Sequence, residues 1–238
     1  MERERIIERL MGFGLTKQES TIYLCLLSEG KLTGYEAAKL TGISRSNAYG
    51  SLAGLNDKGA AYSEEEAAAK KYIPVPLHEF CENYLAKAER DKRWLEQHIT
   101  CQQTEEKGYI TIEGNENIMN KVRNLLKQVD ERVYVSCESE YINEMETELN
   151  GLAAAGKKVV VITNQEQVCP DGVKVYIGEI RRNQIGVIAD SKYVLTGEYG
   201  KESNDTCLYS GQRNFVELYK NALSNEIKLI EYQKGELQ

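Results

Sequence analysis

Apolar positions recur at helical spacing from the first residues onward. Glu2–Met11 places Ile6, Ile7 and Leu10 on one face before Gly12 and Gly14 interrupt it. Thr16-Lys17-Gln18-Glu19 follows, a hydroxyl residue with a glutamate three positions on, which predicts a reciprocal capping box. The helix it opens carries Ile22, Tyr23, Leu26 and Leu27 inward and stops before Gly30. A second box, Thr33-Gly34-Tyr35-Glu36, opens a short helix with Ala37, Ala38 and Leu40. Gly42 then turns the chain and Ser44 caps a longer helix that buries Ala48, Leu52 and Leu55. Lys58-Gly59 closes it, a basic last turn before a glycine stop.

Three capped helices with a glycine turn between the second and third predict a helix-turn-helix. Ala60–Ser63 and Lys71–Val75 are short β-compatible runs around a polar tip, which adds a two-stranded wing. The positions of the third helix that the core does not claim are Ser44, Arg45, Ser46, Asn47, Tyr49, Gly50 and Ser51. These side chains suit base and phosphate contacts. Arginine can fork onto guanine, asparagine onto adenine, and hydroxyls and backbone N–H groups can hold phosphates. The segment Glu64-Glu65-Glu66-Ala67-Ala68-Ala69 is acidic and then bland, so only Lys70 and Lys71 are expected to reach a DNA backbone there.

Pro76 resets the chain, and Leu77–Cys101 reads as one helix of about 36 Å. Leu77, Cys81, Tyr84, Ala88, Asp91, Leu95 and His98 follow alternating steps of four and three, the pattern of a coiled-coil seam. That seam predicts a homodimer; packing against the chain's own C-terminal half is the alternative. The two histidines lie here as His78–Cys81 and His98–Cys101, each pair one turn apart, a spacing that a metal or plain helix packing accounts for equally.

From Gly108 strands alternate with helices. Tyr109–Ile112, Arg132–Cys137, Lys157–Thr163, Val173–Ile177, Gln184–Ala189, Tyr193–Thr196 and Thr206–Ser210 read as strands. Asn115–Val129, Tyr141–Ala155 and Arg213–Glu231 read as helices. The expected fold is α/β overall. A winged helix-turn-helix spans residues 1–76, a connecting helix 77–105 and an α/β domain 106–238. Ligands favour the carboxyl ends of strands in such sheets, and those ends carry Ser136, Glu138, Asn164, Arg182, Asn183 and Ser210.

The net charge of −7 argues against indiscriminate nucleic-acid binding. The charge is uneven, however. Residues 1–76 hold ten Lys/Arg and ten Asp/Glu, so a neutral reader sits on an acidic remainder. The six cysteines are scattered without a CxxC pair, as free thiols of a reducing compartment would be. No apolar run reaches membrane-span length and the first residues lack a signal peptide's apolar stretch, so the expected location is cytoplasmic.

Gly14-Leu15-Thr16, Gly42-Ile43-Ser44-Arg45-Ser46, Leu55-Asn56-Asp57-Lys58-Gly59, Tyr72 and Pro74-Val75-Pro76 resemble the TrmB family of archaeal and bacterial regulators. The resemblance implies that the helix after Gly42 is the recognition helix and that Lys70-Lys71-Tyr72 belongs to the wing. The second half resembles the phospholipase-D-like effector domain of such proteins. In active phospholipase-D-like enzymes a His-x-Lys precedes an Asp; set on Asp190, those places hold Asn183 and Ile185. Without a nucleophilic imidazole that chemistry cannot run, so a binding domain and no enzyme is implied.

The expected function is a dimeric, sequence-specific regulator of transcription. Its partners are double-stranded DNA and a small polar effector, with a sugar among the effectors the resemblance implies. No motif calls for a cofactor or a metal, and no membrane partner is expected. The alternative is a protein–protein adaptor whose winged helix no longer binds DNA.

Overall fold

Both capping boxes form. Thr16 Oγ1 accepts from the Glu19 N–H at 3.2 Å and Glu19 accepts from the Thr16 N–H at 2.6 Å. Thr33 and Glu36 repeat the arrangement at 3.2 and 2.8 Å. The computed structural model describes residues 2–66, 69–100, 108–165, 172–178, 182–200 and 204–235. The chain divides into two units, Met1–Gln102 and Gln103–Gln238.

In the first unit the order is α1 (Glu2–Gly12), α2 (Lys17–Glu29), β1 (Leu32–Thr33), α3 (Gly34–Thr41), α4 (Arg45–Asp57), β2 (Ala61–Glu66), β3 (Ala69–Pro74) and α5 (Leu77–His98). Ile22, Tyr23, Leu26, Ala37, Ala48, Leu52 and Leu55 form its core. Ile6, Leu27 and Leu40, expected inside, are exposed, so each helix buries a narrower stripe than the sequence pattern suggests. The Tyr23 hydroxyl donates to the Val75 carbonyl at 2.8 Å, tying α2 to the end of the wing, and burial pushes its pKa up to about 12. Glu19 does more than cap. Lys58 Nζ lies 2.6 Å from its carboxylate and also donates to the Gly14 carbonyl at 2.9 Å. Burial alone would raise the Glu19 pKa, but Lys58 and the Thr16 donors outweigh it and hold the carboxyl below its ordinary value.

A strand that sequence pattern does not announce joins the wing: β1 pairs with β3, Leu32 opposite Tyr72, and the sheet order is β1-β3-β2. The wing strands also run further than expected. The acidic run lies within β2, with Glu64 opposite Lys71 and Glu65 opposite Lys70; Ala67 and Ala68 lie outside the described residues.

The first turn of α5 is anchored by Phe80, which packs on Tyr23 and Phe13. Beyond it the helix exposes Tyr84, Leu85, Trp94 and Leu95. Cys101 lies outside the described residues. His98 Nδ1 is 2.7 Å from the Trp94 carbonyl and its ring stacks on that of Trp94, so local helix packing accounts for it.

The second unit contains β4 (Tyr109–Glu113), α6 (Asn115–Lys127), β5 (Arg132–Cys137), α7 (Ser139–Glu144), α8 (Glu146–Ala154), β6 (Lys158–Thr163), β7 (Val173–Ile177), β8 (Gln184–Ala189), β9 (Tyr193–Glu198), β10 (Thr206–Ser210) and α9 (Arg213–Gln233). Among the described residues the sheet order is β4-β10-β9-β8-β5-β6-β7; β5, β6 and β7 are mutually parallel and the other pairings antiparallel. Strand alternation divides the core. Val159 and Val161 join the side chains of α6, α7 and α8 on one face, whereas Val160 and Ile162 join Val216, Leu223 and Ile230 of α9 on the other. The single helix expected over Tyr141–Ala155 is two helices, broken at Met145, whose side chain is fully buried.

Asp190 ties the turn after β8 to the start of β5. Its carboxylate accepts the backbone N–H groups of Asp130, Glu131 and Arg132 at 2.8–2.9 Å. Burial would raise its pKa, but these three donors hold it below its ordinary value.

Candidate nucleic-acid interface

The start of α4 is set by two local devices. Gly42 adopts a left-handed conformation (φ 72°) at the end of α3, a region where a Cβ is unfavourable, and so redirects the chain in two residues. Ser44 then caps the new helix, its hydroxyl accepting from the Asn47 N–H at 3.4 Å. At the other end the Ala60 N–H bonds to Leu55 O and the Gly59 N–H to Asn56 O, a Schellman stop with Gly59 at φ 73°.

Ala48, Ser51, Leu52 and Leu55 are buried, at the i, i+3, i+4, i+7 positions of one stripe. The opposite stripe runs through Ser46, Gly50 and Ala53, all exposed, with Arg45, Tyr49 and Asn47 on its flanks. The helix therefore presents a narrow ridge of small side chains between polar ones, a shape that lets its backbone enter a groove deeply. Ser51 is a correction: it was expected on this surface, but it follows Ala48 by three residues and turns into the core.

Two flanking side chains are held in place by α3. The Arg45 guanidinium lies over the Tyr35 ring, 4.6 Å from its centroid. The Tyr49 ring rests against Gly34, where any Cβ would collide with it. Neither Tyr35 nor Gly34 stands out in sequence. The only signal is an aromatic residue beside a glycine at the start of α3.

Lys70 and Lys71 are on the wing as expected, yet their ladder partners are glutamates. Lys31 also reaches Glu64, at 2.5 Å. The wing cations face carboxylates before they could face phosphates, which leaves Arg45 as the cation at the head of α4.

In the second unit the expected effector residues do not all meet. Asn164 accepts from the Ser139 N–H at 3.0 Å and the Asn183 N–H donates to Glu138 at 3.2 Å, which gathers Glu138, Asn164 and Asn183 at the carboxyl ends of β5 and β6. Arg182 is exposed beside Asn183, and Ser136 is half-buried within β5. Ser210 is a correction. Because β10 runs antiparallel to β9, its end lies at the opposite edge of the sheet, and Ser210 is buried with its hydroxyl donated to Gly108 O at 2.7 Å. Asn183 and Ile185 place no nucleophile: Ile185 is buried in the core. Burial pushes the Cys207 thiol up to about 12, which quenches its reactivity, and Cys169 lies outside the described residues.

Residues 10–78, which span α2, the helix-turn-helix and the wing, match the family model described as the sugar-specific transcriptional regulator TrmB. The match covers 69 of the chain's 238 residues, and over that stretch the chain is similar to the TrmB family. The uncharacterised protein YrhO of Bacillus subtilis is 29% identical over 181 residues, covering 75% of this chain and 65% of YrhO. The sugar-sensing transcriptional regulator TrmBL1 of Pyrococcus furiosus is 27% identical over 147 residues, 60% of this chain and 43% of TrmBL1. The chain spans less than two thirds of the length of either relative. Among solved structures, the archaeal chromatin protein TrmBL2 aligns with 94% of this chain and 97% of its own at 17% identity, with a TM-score of 0.46. NucT from Helicobacter pylori aligns with 51% of this chain and 97% of its own at 14% identity and a TM-score of 0.43. Both are distant. Among the described residues no helix is long and apolar enough to cross a membrane.

Proposed function

We propose that the protein is a sequence-specific, DNA-binding transcriptional regulator that acts as a homodimer and responds to a small polar effector. The observation that carries this reading is the open face of α4: Arg45, Ser46, Asn47, Tyr49 and Gly50 lie exposed at the head of a helix whose opposite stripe alone is buried. A helix of that kind enters the major groove with its N-terminal residues at the base edges. The match of residues 10–78 to the TrmB family model supports the same use.

We assign dimerisation to α5, where Leu85, Trp94 and Leu95 are exposed beyond the turns that Phe80 and Tyr84 anchor. Two copies would place two recognition helices on one duplex, so the site read is a palindrome with half-sites about one helical turn apart. An effector in the second unit would act by favouring one arrangement of the dimer, and about 1–3 kcal/mol of coupling is enough for a switch. The lack of a nucleophile at Asn183 and Ile185 favours binding over catalysis in that unit.

The reading is tested by gel shift with duplexes from the region upstream of the protein's own gene. The expected result is a discrete complex that survives excess random duplex and weakens steeply with salt. Failure to bind any such duplex, together with retention of a protein partner through the acidic wing, would favour the adaptor reading. The pairing of Glu64 and Glu65 with Lys71 and Lys70 is the observation on that side.

A further inference from the structure

A cavity of about 340 Å³ lies between α9 and the face of the sheet that α9 covers. This is within the size range of small-molecule sites. Its rim is cationic. Arg132, Lys158 and Lys174 come from the first residues of β5, β6 and β7, and because these strands are parallel their amino ends share one edge. Lys220 and Lys228 of α9 face them, with Ser224 one turn from each. Against these five cations the lining offers a single carboxylate, Glu231.

That imbalance occurs in a chain whose net charge is −7. Some of the cations are compensated locally: Lys174 lies 3.4 Å from Glu231, Arg132 is 2.9 Å from Glu131, and Lys220 is 3.9 Å from Glu217. Among the described residues, Lys158 and Lys228 have no carboxylate partner; Lys158 stands over the Tyr134 ring at 5.6 Å. Like charges gathered around one opening repel one another, and an anion bound among them removes the repulsion. The floor is different in kind. Tyr134 and Tyr176 offer ring surface, and Val160, Ile188 and Leu223 are apolar, so the cavity suits a molecule with an anionic end and an organic body. Glu231 is committed to the floor, accepting from the Tyr176 hydroxyl at 2.7 Å. Asp190 fixes the backbone of Arg132, and Ser191 beside it lines the opening.

We infer that this cavity binds a phosphorylated small molecule, its phosphate held by Lys158, Lys228 and Arg132 and its organic part resting on Tyr134 and Tyr176. As an effector site it rests on the regulator reading, and it moves the effector to the edge of the sheet opposite Glu138 and Asn164.

Isothermal titration of the full chain at low salt, without DNA, tests it with inorganic phosphate, phenyl phosphate and phenol. Phenyl phosphate is expected to bind more tightly than inorganic phosphate, phenol not to bind, and K158E/K228E to weaken phenyl phosphate by about tenfold or more with an unchanged circular-dichroism melt. Should the double variant fail to fold, Lys228→Gln alone is titrated and is expected to weaken binding. No binding of either phosphate, equal affinity for the two, or unchanged affinity in a folded variant would overturn the inference. Loss of duplex affinity in K158E/K228E with phenyl phosphate binding intact would also overturn it, marking a nucleic-acid surface instead. Since no DNA enters the titration, its failure leaves the α4 reading standing, and failure of α4 to bind DNA leaves the titration standing.

Discussion

Arg45→Ala is expected to lower affinity for the specific duplex by about fivefold to 150-fold, the loss of one bidentate base contact worth about 1–3 kcal/mol. The fold does not depend on this side chain. Arg45 is exposed, and its described contact is the face of Tyr35, itself exposed. Thermal unfolding and oligomeric state are therefore expected to match the parent chain. Arg45→Lys separates charge from shape. A lysine keeps the attraction to phosphate but cannot fork onto a guanine edge, so it should keep binding to random duplex while losing most of the preference for the specific one. Fluorescence anisotropy with both duplexes measures this. Equal affinities of the parent chain and of the Arg45→Ala and Arg45→Lys variants for the specific duplex would remove Arg45 from the interface.

Leu52→Ala is expected to cost the first unit about 2–5 kcal/mol, the range for truncating a fully buried leucine. Leu52 is wholly buried on the stripe that fixes α4 against α2 and α3, so the cavity opens beneath the recognition helix itself. The two units have separate hydrophobic clusters. Calorimetry is therefore expected to show the transition of Met1–Gln102 shifted down and that of Gln103–Gln238 unmoved. Duplex binding should fall at temperatures above the lowered transition and recover on cooling. A uniform shift of both transitions would mean that the units unfold as one.

Features set by neighbours in sequence are legible in the sequence alone. The boxes at Thr16–Glu19 and Thr33–Glu36, the Gly42 turn and the Gly59 stop each depend on residues within a few positions of each other. The exposed head of α4 is legible too, apart from Ser51, whose polarity hides a position that helical phase assigns to the core. Features set by distant partners are not. Strand β1 is two residues long, and its ladder partner lies forty positions away at Tyr72. The pairing of Glu64 and Glu65 with the wing lysines needs the hairpin register. Strand direction decides the rest of the site. Ser210 falls at the opposite edge because β10 is antiparallel, while Arg132, Lys158 and Lys174 converge because their strands are parallel. A basic residue at or next to the start of three successive β-runs is the available signal, and only the sheet order gives it meaning.

If the small-residue ridge of α4 meets the bases, its backbone amides shift when duplex binds. Backbone amide spectra of the isotopically labelled full chain, recorded with and without its specific duplex, measure those shifts. The largest changes are expected from Arg45 to Ala53 and at Tyr35, with smaller ones at Lys70 and Lys71. Changes confined to the wing, to α5 or to the second unit, with α4 silent at saturating duplex, would mean that α4 does not enter the groove.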